Sequence, residues 1–94
     1  MNSPWCVYIL RCCDGSFYIG ITNNPTKRTQ KHNSGLGSQF TRNYRPVTLV
    51  YVEWYKNKSE ARKREIQLKG WTHSKKFLLI KGKLFNKVKL NDSP

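Results

Sequence analysis

The sequence predicts an α+β domain: a small three-stranded antiparallel-type sheet flanked by three helices, in the order β-β-α-β-α-α. Three observations predict it. Two apolar runs, "WCVYILR" (5–11) and "SFYIGIT" (16–22), are joined by the turn signal "CDG". A third run, "VTLVYVEWY" (47–55), is β-branched and aromatic. The remaining stretches are polar and carry helix start and stop residues. With 94 residues the chain has room for one compact domain, read here as residues 1–82. Residues 83–94 read as a basic, polar tail, expected to be poorly ordered at its end.

Each element has its own justification. Residues 5–11 are almost continuously apolar, which suits a strand covered on both faces and so a central one. Gly15 offers the positive φ that a tight connection to 16–22 needs. Asn24 is a good N-cap and Pro25 a good first residue for a basic helix running to about Ser34 and stopping at Gly35. Residues 35–46, "GLGSQFTRNYRP", read as a loop rich in Gly, Arg and aromatics. After the third strand, Ser59 is a fair N-cap for a helix over 60–69, ended by Gly70. "SKKFLLIKG" (74–82) reads as a short amphipathic helix with a glycine stop.

Composition narrows the class of partner. Eighteen Lys+Arg against five Asp+Glu give a formal net charge of +13. That bias favours a polyanion, and nucleic acid is the commonest one. No apolar run of roughly 18 residues is present, so no transmembrane span is expected. "MNSPW" has neither the basic nor the apolar part of a signal peptide, which points to the cytoplasm. Cys6, Cys12 and Cys13 are odd in number and include an adjacent pair, so they do not make a disulfide framework. There is no Cys-x-x-Cys, and neither His32 nor His73 stands at zinc-finger spacing. The thiols read as small apolar groups in a reduced compartment.

The hairpin decides where Tyr8 and Tyr18 point. A three-residue loop (Cys13, Asp14, Gly15) sets Cys12 against Ser16, Tyr8 against Gly20 and Tyr18 against Leu10. Both tyrosines then lie on one face as diagonal neighbours. A two-residue loop splits them. On the shared face Gly20 leaves backbone open beside two phenols, as a strand glycine does where a ligand approaches. A packed aromatic pair with a glycine making room explains the same pattern.

Two further groups could join that face. Arg28 and His32 are four apart on the first helix and share a side. They offer a bidentate phosphate donor and a group that exchanges protons near neutral pH. A solvated basic face is the alternative. On the helix over 60–69, Ala61, Glu65 and Leu68 share the side turned to the sheet. A buried acid must be paired or must bind a cation. Either a salt bridge to Arg28 or a hard divalent metal held by one carboxylate plus waters and phosphate oxygens satisfies that.

Taken together, "CVYIL" (6–10), "YIGIT" (18–22), "KRTQKH" (27–32) and "SEARKRE" (59–65) resemble, in order and spacing, the motifs of the GIY-YIG nuclease superfamily. The resemblance spans about residues 5–80. It is nearest to small stand-alone bacterial members, which carry similar "HNSG" (32–35) and "TR" (41–42) segments, and more distant to the N-terminal nuclease domain of UvrC, the excision-repair endonuclease. The resemblance implies catalytic positions at Tyr8, Tyr18, Arg28, His32 and Glu65, with Gly20 beside them. It further implies a metal-dependent DNA endonuclease acting in repair or recombination. The first motif departs from the pattern, reading Cys6-Val7-Tyr8 where the family has Gly-Ile-Tyr. For the asparagine that many members use late in the domain, Asn86 is the nearest candidate.

Phosphodiester hydrolysis needs an activated water, charge stabilisation on the phosphate and help for the leaving oxygen. The roles expected here are one Mg²⁺ or Mn²⁺ on Glu65, Arg28 on a non-bridging oxygen, and Tyr8 as base with His32 relaying its proton. Tyr18 positions water or phosphate. Arg28, the metal and the positive surface are expected to favour the Tyr8 phenolate over its ordinary pKa of about 10. Lys27, Arg42, Arg45, Lys75 and Lys76 are candidate phosphate contacts, with DNA the expected partner and RNA a second one. Phe40 and Tyr44 either stack on an unpaired base or pack the loop. Trp71 reads as core or as a lid over the active face. A non-catalytic nucleic-acid-binding module retaining the fold is the competing reading, and a ribosome-associated basic protein a third.

Overall fold

A computed structural model of the chain describes residues 3–82. Asn86 and the tail over 83–94 lie outside the described residues. The elements are β1 (Trp5–Arg11), β2 (Phe17–Thr22), α1 (Pro25–Asn33), α2 (Gln39–Arg42), β3 (Thr48–Tyr55), α3 (Lys58–Lys69) and α4 (His73–Ile80). The α+β class and the antiparallel sheet are as expected from the sequence, with strand order β2-β1-β3 and β1 in the centre. Two features differ. The loop over 35–46 holds a fourth helix, α2, because Ser38 caps it by accepting from the Thr41 N–H. And α3 begins two residues early, because the Asn57 side chain, not Ser59, accepts from the Glu60 N–H.

The hairpin loop has three residues. Cys12 N–H donates to the Ser16 carbonyl at 2.8 Å and Gly15 N–H to the Cys12 carbonyl at 2.9 Å. Gly15 sits at φ +89°, and Asp14 Oδ1 accepts from the Ser16 N–H at 3.0 Å. The register that follows pairs Tyr8 with Gly20 and Leu10 with Tyr18. On the other side of β1, β3 pairs Tyr8 with Val52, and a bulge between Ile9 and Leu10 shifts the register.

Alternation along β1 gives the two faces of the sheet different work. Val7 and Ile9 join Ile19, Ala61, Leu68 and Leu79 in an apolar core under α3 and α4. Burial of each large aliphatic side chain there stabilises the fold by about 1.5–3 kcal/mol. Tyr8, Leu10 and Cys12 face the other way, with Val47 and the half-buried Tyr18 and Tyr44 around them. That second face meets α1 and α2.

Candidate functional site

Tyr8 is almost fully buried, at 1% exposure, yet its hydroxyl has two polar neighbours. His32 Nε2 lies 2.9 Å from Tyr8 Oη, and Arg28 Nε–H donates to the same oxygen at 3.4 Å. The i,i+4 spacing of Arg28 and His32 on α1 puts both onto one hydroxyl. Asn24 caps α1 by accepting from the Lys27 N–H, and Pro25 opens it. Asn33, at its C-terminal end, donates from Nδ2 to the Val47 carbonyl and accepts the Val47 N–H. These two bonds tie the helix to the approach to β3.

Tyr18 shares the face. Its ring lies 6.3 Å from that of Tyr8 and 5.0 Å, edge-on, from His32. Gly20 is the gap between them: a Cβ there would come within 2.6 Å of Tyr8 Oη. Any side chain would displace the phenol, so Gly20 makes room for Tyr8 itself, as the packing alternative expects, and the hydroxyl takes the space the missing side chain leaves.

Charge states follow from burial. Desolvation pushes the Tyr8 phenol up to about 12, outweighing the hydrogen bond from Arg28, and the charges of Tyr18 and Glu65 push the same way. The expected phenolate is therefore not the resting state; loss of water contact costs the anion more than one guanidinium returns. Desolvation also pushes His32 down to about 4, helped by the charges of Arg28 and Lys31. At neutral pH a neutral phenol faces a neutral imidazole.

Glu65 is buried on α3 beside Ala61 and Leu68. Its ion pairs run to Lys69 Nζ at 3.1 Å and Arg62 Nε at 3.9 Å, not to Arg28. Lys69 also lines a small open cleft of about 250 Å³ with Tyr18, Phe40 and Lys76. The β2 edge thus brings Tyr18 and a side chain paired with Glu65 to one place. Phe40, 44% exposed, stacks on Tyr18 at 6.0 Å and meets Tyr44 at 5.2 Å.

The other basic residues spread out. Arg42 and Arg45 border an open pocket of about 470 Å³ with Asn33, Asn43 and Pro46. Arg45 donates to the carbonyls of Arg42 and Asn33. Lys27 is exposed on the first turn of α1. Lys75 sits over Trp71 at 4.3 Å, with Arg64 5.2 Å from the same ring. Trp71 packs on the α3/α4 core and not over the tyrosines, so its core reading holds and the lid does not.

Sequence reasoning missed Thr41. It is fully buried, and its Oγ1 lies 2.7 Å from His32 Nδ1. Gly37 was missed with it: a Cβ there would strike that same ring nitrogen. The signal was present in "GSQFTR" (37–42), where Ser38 caps a short helix and aims Thr41 inward.

A three-stranded antiparallel sheet with two tyrosines on one face, closed by an Arg–His helix, is the framework of a small stand-alone nuclease domain. The chain belongs to the GIY-YIG family: the model described as the GIY-YIG catalytic domain matches residues 4–77. Its relatives are UPF0213 proteins. The one from Staphylococcus aureus strain N315 is 51% identical over 75 residues, covering 80% of this chain and 92% of that protein. The solution structure of the UPF0213 protein BH0048 from Bacillus halodurans is 36% identical and matches with a TM-score of 0.54 over 96% of this chain and 99% of that one. The solution structure of EF2693 from E. faecalis is 38% identical, with a TM-score of 0.57 over 86% and 88%. Membership implies a nuclease acting on nucleic acid. Among the described residues no helix is long and apolar enough to cross a membrane.

Proposed function

We propose that this protein is a metal-dependent endonuclease that hydrolyses phosphodiester bonds in DNA, with Tyr8, Tyr18, Arg28, His32 and Glu65 around the reacting phosphate. The observation that carries the reading is the buried Tyr8 hydroxyl, which lies between Arg28 Nε and His32 Nε2 beside Gly20. A core tyrosine needs one partner; this one touches a permanent cation and a neutral base.

Tyr8 takes the proton of the attacking water as its own passes to His32 Nε2, so no free phenolate has to persist. Arg28 cannot lose its charge, and its remaining donors suit a non-bridging phosphate oxygen. Tyr18 positions the water or the phosphate from the same face.

The donor set fits one hard divalent ion. Among the described residues no three His, Cys, Asp or Glu side chains cluster, so Glu65 would hold the ion with waters and phosphate oxygens, as Mg²⁺ accepts. The present counter-charges of Glu65, Lys69 and Arg62, are on side chains 56% and 63% exposed, which can move aside for a dication. When bound, Mg²⁺ or Mn²⁺ would neutralise charge on the phosphate. Lys27, Arg42, Arg45, Lys75 and Lys76 grip the backbone, so binding falls steeply between roughly 50 and 200 mM salt.

The test is incubation with duplex, single-stranded and branched DNA and with RNA, in Mg²⁺, Mn²⁺ or EDTA. Metal-dependent cutting of DNA is expected, and Glu65→Ala and Arg28→Ala should each abolish it while leaving the fold intact. Undiminished cutting by either variant, or binding without cleavage under every condition, overturns the proposal; the latter is what a non-catalytic binding module gives.

A further inference from the structure

A single line of hydrogen-bonding groups crosses the site. It runs from Arg28 Nε through Tyr8 Oη to His32 Nε2, and from His32 Nδ1 through Thr41 Oγ1 to the Ser38 carbonyl. Its two ends have fixed polarity: a guanidinium N–H only donates and a carbonyl oxygen only accepts. One proton assignment uses every group. Arg28 donates to Tyr8, Tyr8 to Nε2, Nδ1–H to Thr41, and Thr41 to Ser38. Reversing the imidazole aims two donors at the phenol oxygen and leaves the Tyr8 proton with no acceptor among the described residues.

We infer that Thr41 is a positioning residue that fixes His32 in its Nδ1–H tautomer, so that the Nε2 lone pair faces Tyr8. The tautomer of a histidine is set by the bond its other nitrogen makes, and here Thr41 makes that bond. Its own hydroxyl proton finds an acceptor in Ser38, at the carbonyl at 3.3 Å or at Oγ at 3.1 Å, so a lone pair of its oxygen is left to accept from His32. Gly37 packs its backbone on the same nitrogen, so no side chain stands there to compete with Thr41. An unconstrained histidine side chain in water prefers the opposite, Nε2–H form, in which Nε2 has no lone pair to accept a proton from Tyr8. Residues 37–41 therefore decide whether His32 can act as a base. The consequence for catalysis rests on the nuclease reading above; the tautomer itself does not.

The test reads the tautomer directly, by long-range ¹H–¹⁵N spectra of ¹⁵N-histidine-labelled protein at neutral pH. Only His32 and His73 are present, and His73→Gln assigns them. The wild type is expected to show Nδ1–H at His32. Tyr8→Phe removes the partner at Nε2 and leaves Thr41 to decide alone; Nδ1–H should persist. Tyr8→Phe with Thr41→Val should go over to Nε2–H, and Tyr8→Phe with Thr41→Ser should stay Nδ1–H. In cleavage, Thr41→Val should slow the rate roughly 10-fold to 100-fold and Thr41→Ser should not. An Nε2–H wild type, or a switch in Tyr8→Phe alone, overturns the inference. These two spectra decide the matter even where the double variant fails to fold. Absence of cleavage from every protein sinks the nuclease reading and leaves the tautomer assignment standing.

Discussion

Two glutamates are sheltered from solvent, Glu65 buried and Glu53 half-buried, and the molecule treats them differently. Glu53, on β3 under α3, accepts from Tyr51 Oη at 2.7 Å, Tyr55 Oη at 2.5 Å and Arg64 Nε at 2.8 Å. Burial pushes its carboxyl up, but the two phenols and the guanidinium together outweigh that and hold it below the usual range. Its guanidinium partner is itself anchored, donating to Gln67 and lying over Trp71. Glu65, on the same helix as Arg64, pairs among the described residues with two largely exposed cations, Arg62 and Lys69. A carboxylate locked by partners that cannot leave is architecture. One whose partners can leave is available to an incoming cation. The sheet makes a similar division, with apolar side chains on one face of β1 and the hydrogen-bonded Tyr8 hydroxyl on the other.

The largest expected effect tests the locked carboxylate. Glu53→Gln leaves Arg64 charged and half-buried without its counter-ion and should cost about 3–5 kcal/mol of stability. Urea unfolding measures it. Cleavage per folded molecule should be unchanged, whereas Glu65→Gln should lose cleavage with its unfolding midpoint nearly unmoved. Equal stability losses in the two variants would erase the distinction.

Next in size is a contrast between tyrosines. Tyr8→Phe keeps the ring and removes one hydroxyl; single-turnover cleavage should fall roughly 10²-fold to 10⁴-fold. Tyr51→Phe removes a hydroxyl from the other face and should cost about 1–3 kcal/mol of stability with no loss of cleavage. If Tyr51→Phe slows cutting as much, the two faces are coupled and not separate.

Acid sharpens the contrast through His32. Its folded pKa, about 4, lies below the ordinary value of 6.5, so the unfolded chain binds the proton first as pH falls. The stability this neutral imidazole contributes is whole above about pH 6.5 and is lost as pH drops toward 4. The loss should be on the order of 3 kcal/mol in urea unfolding and smaller in His32→Asn. A wild type with no steeper acid slope than the variant would mean the ring is not held neutral by burial.

Much of this was legible in the residues. The apolar run 5–11 announced a central strand, and "CDG" with Gly15 allowed, without deciding, the three-residue loop that puts both tyrosines on one face. The i,i+4 pair Arg28/His32 and the Ala61–Glu65–Leu68 stripe placed a base, a cation and an acid with no tertiary information. What stayed hidden depends on side chains meeting across the chain. Thr41 reads as an ordinary loop residue until α2 turns it onto His32. The Tyr51–Glu53–Tyr55 network needs Arg64 to reach it from α3, a contact that neither the strand nor the helix pattern foretells. The charge state of Tyr8 was half legible: Arg28 does favour the phenolate, but the sequence does not show the depth at which the hydroxyl is buried, and burial outweighs it.

The smallest effect is the most discriminating about Glu65. Lys69→Met removes its nearer cation, at 3.1 Å, from a side chain 56% exposed. An i,i+4 surface pair of this kind contributes at most about 0.5 kcal/mol, so thermal unfolding should barely move. Arg64→Met, the matching change at Glu53, should cost several times more, because it leaves a carboxylate charged among phenols with no cation beside it. The same Lys69→Met chain should bind Mn²⁺ more tightly by titration, since the dication no longer competes with an ammonium for the carboxylate. Weaker Mn²⁺ binding, or a stability loss matching that of Arg64→Met, would show that Lys69 is part of the architecture and that Glu65 is as closed as Glu53.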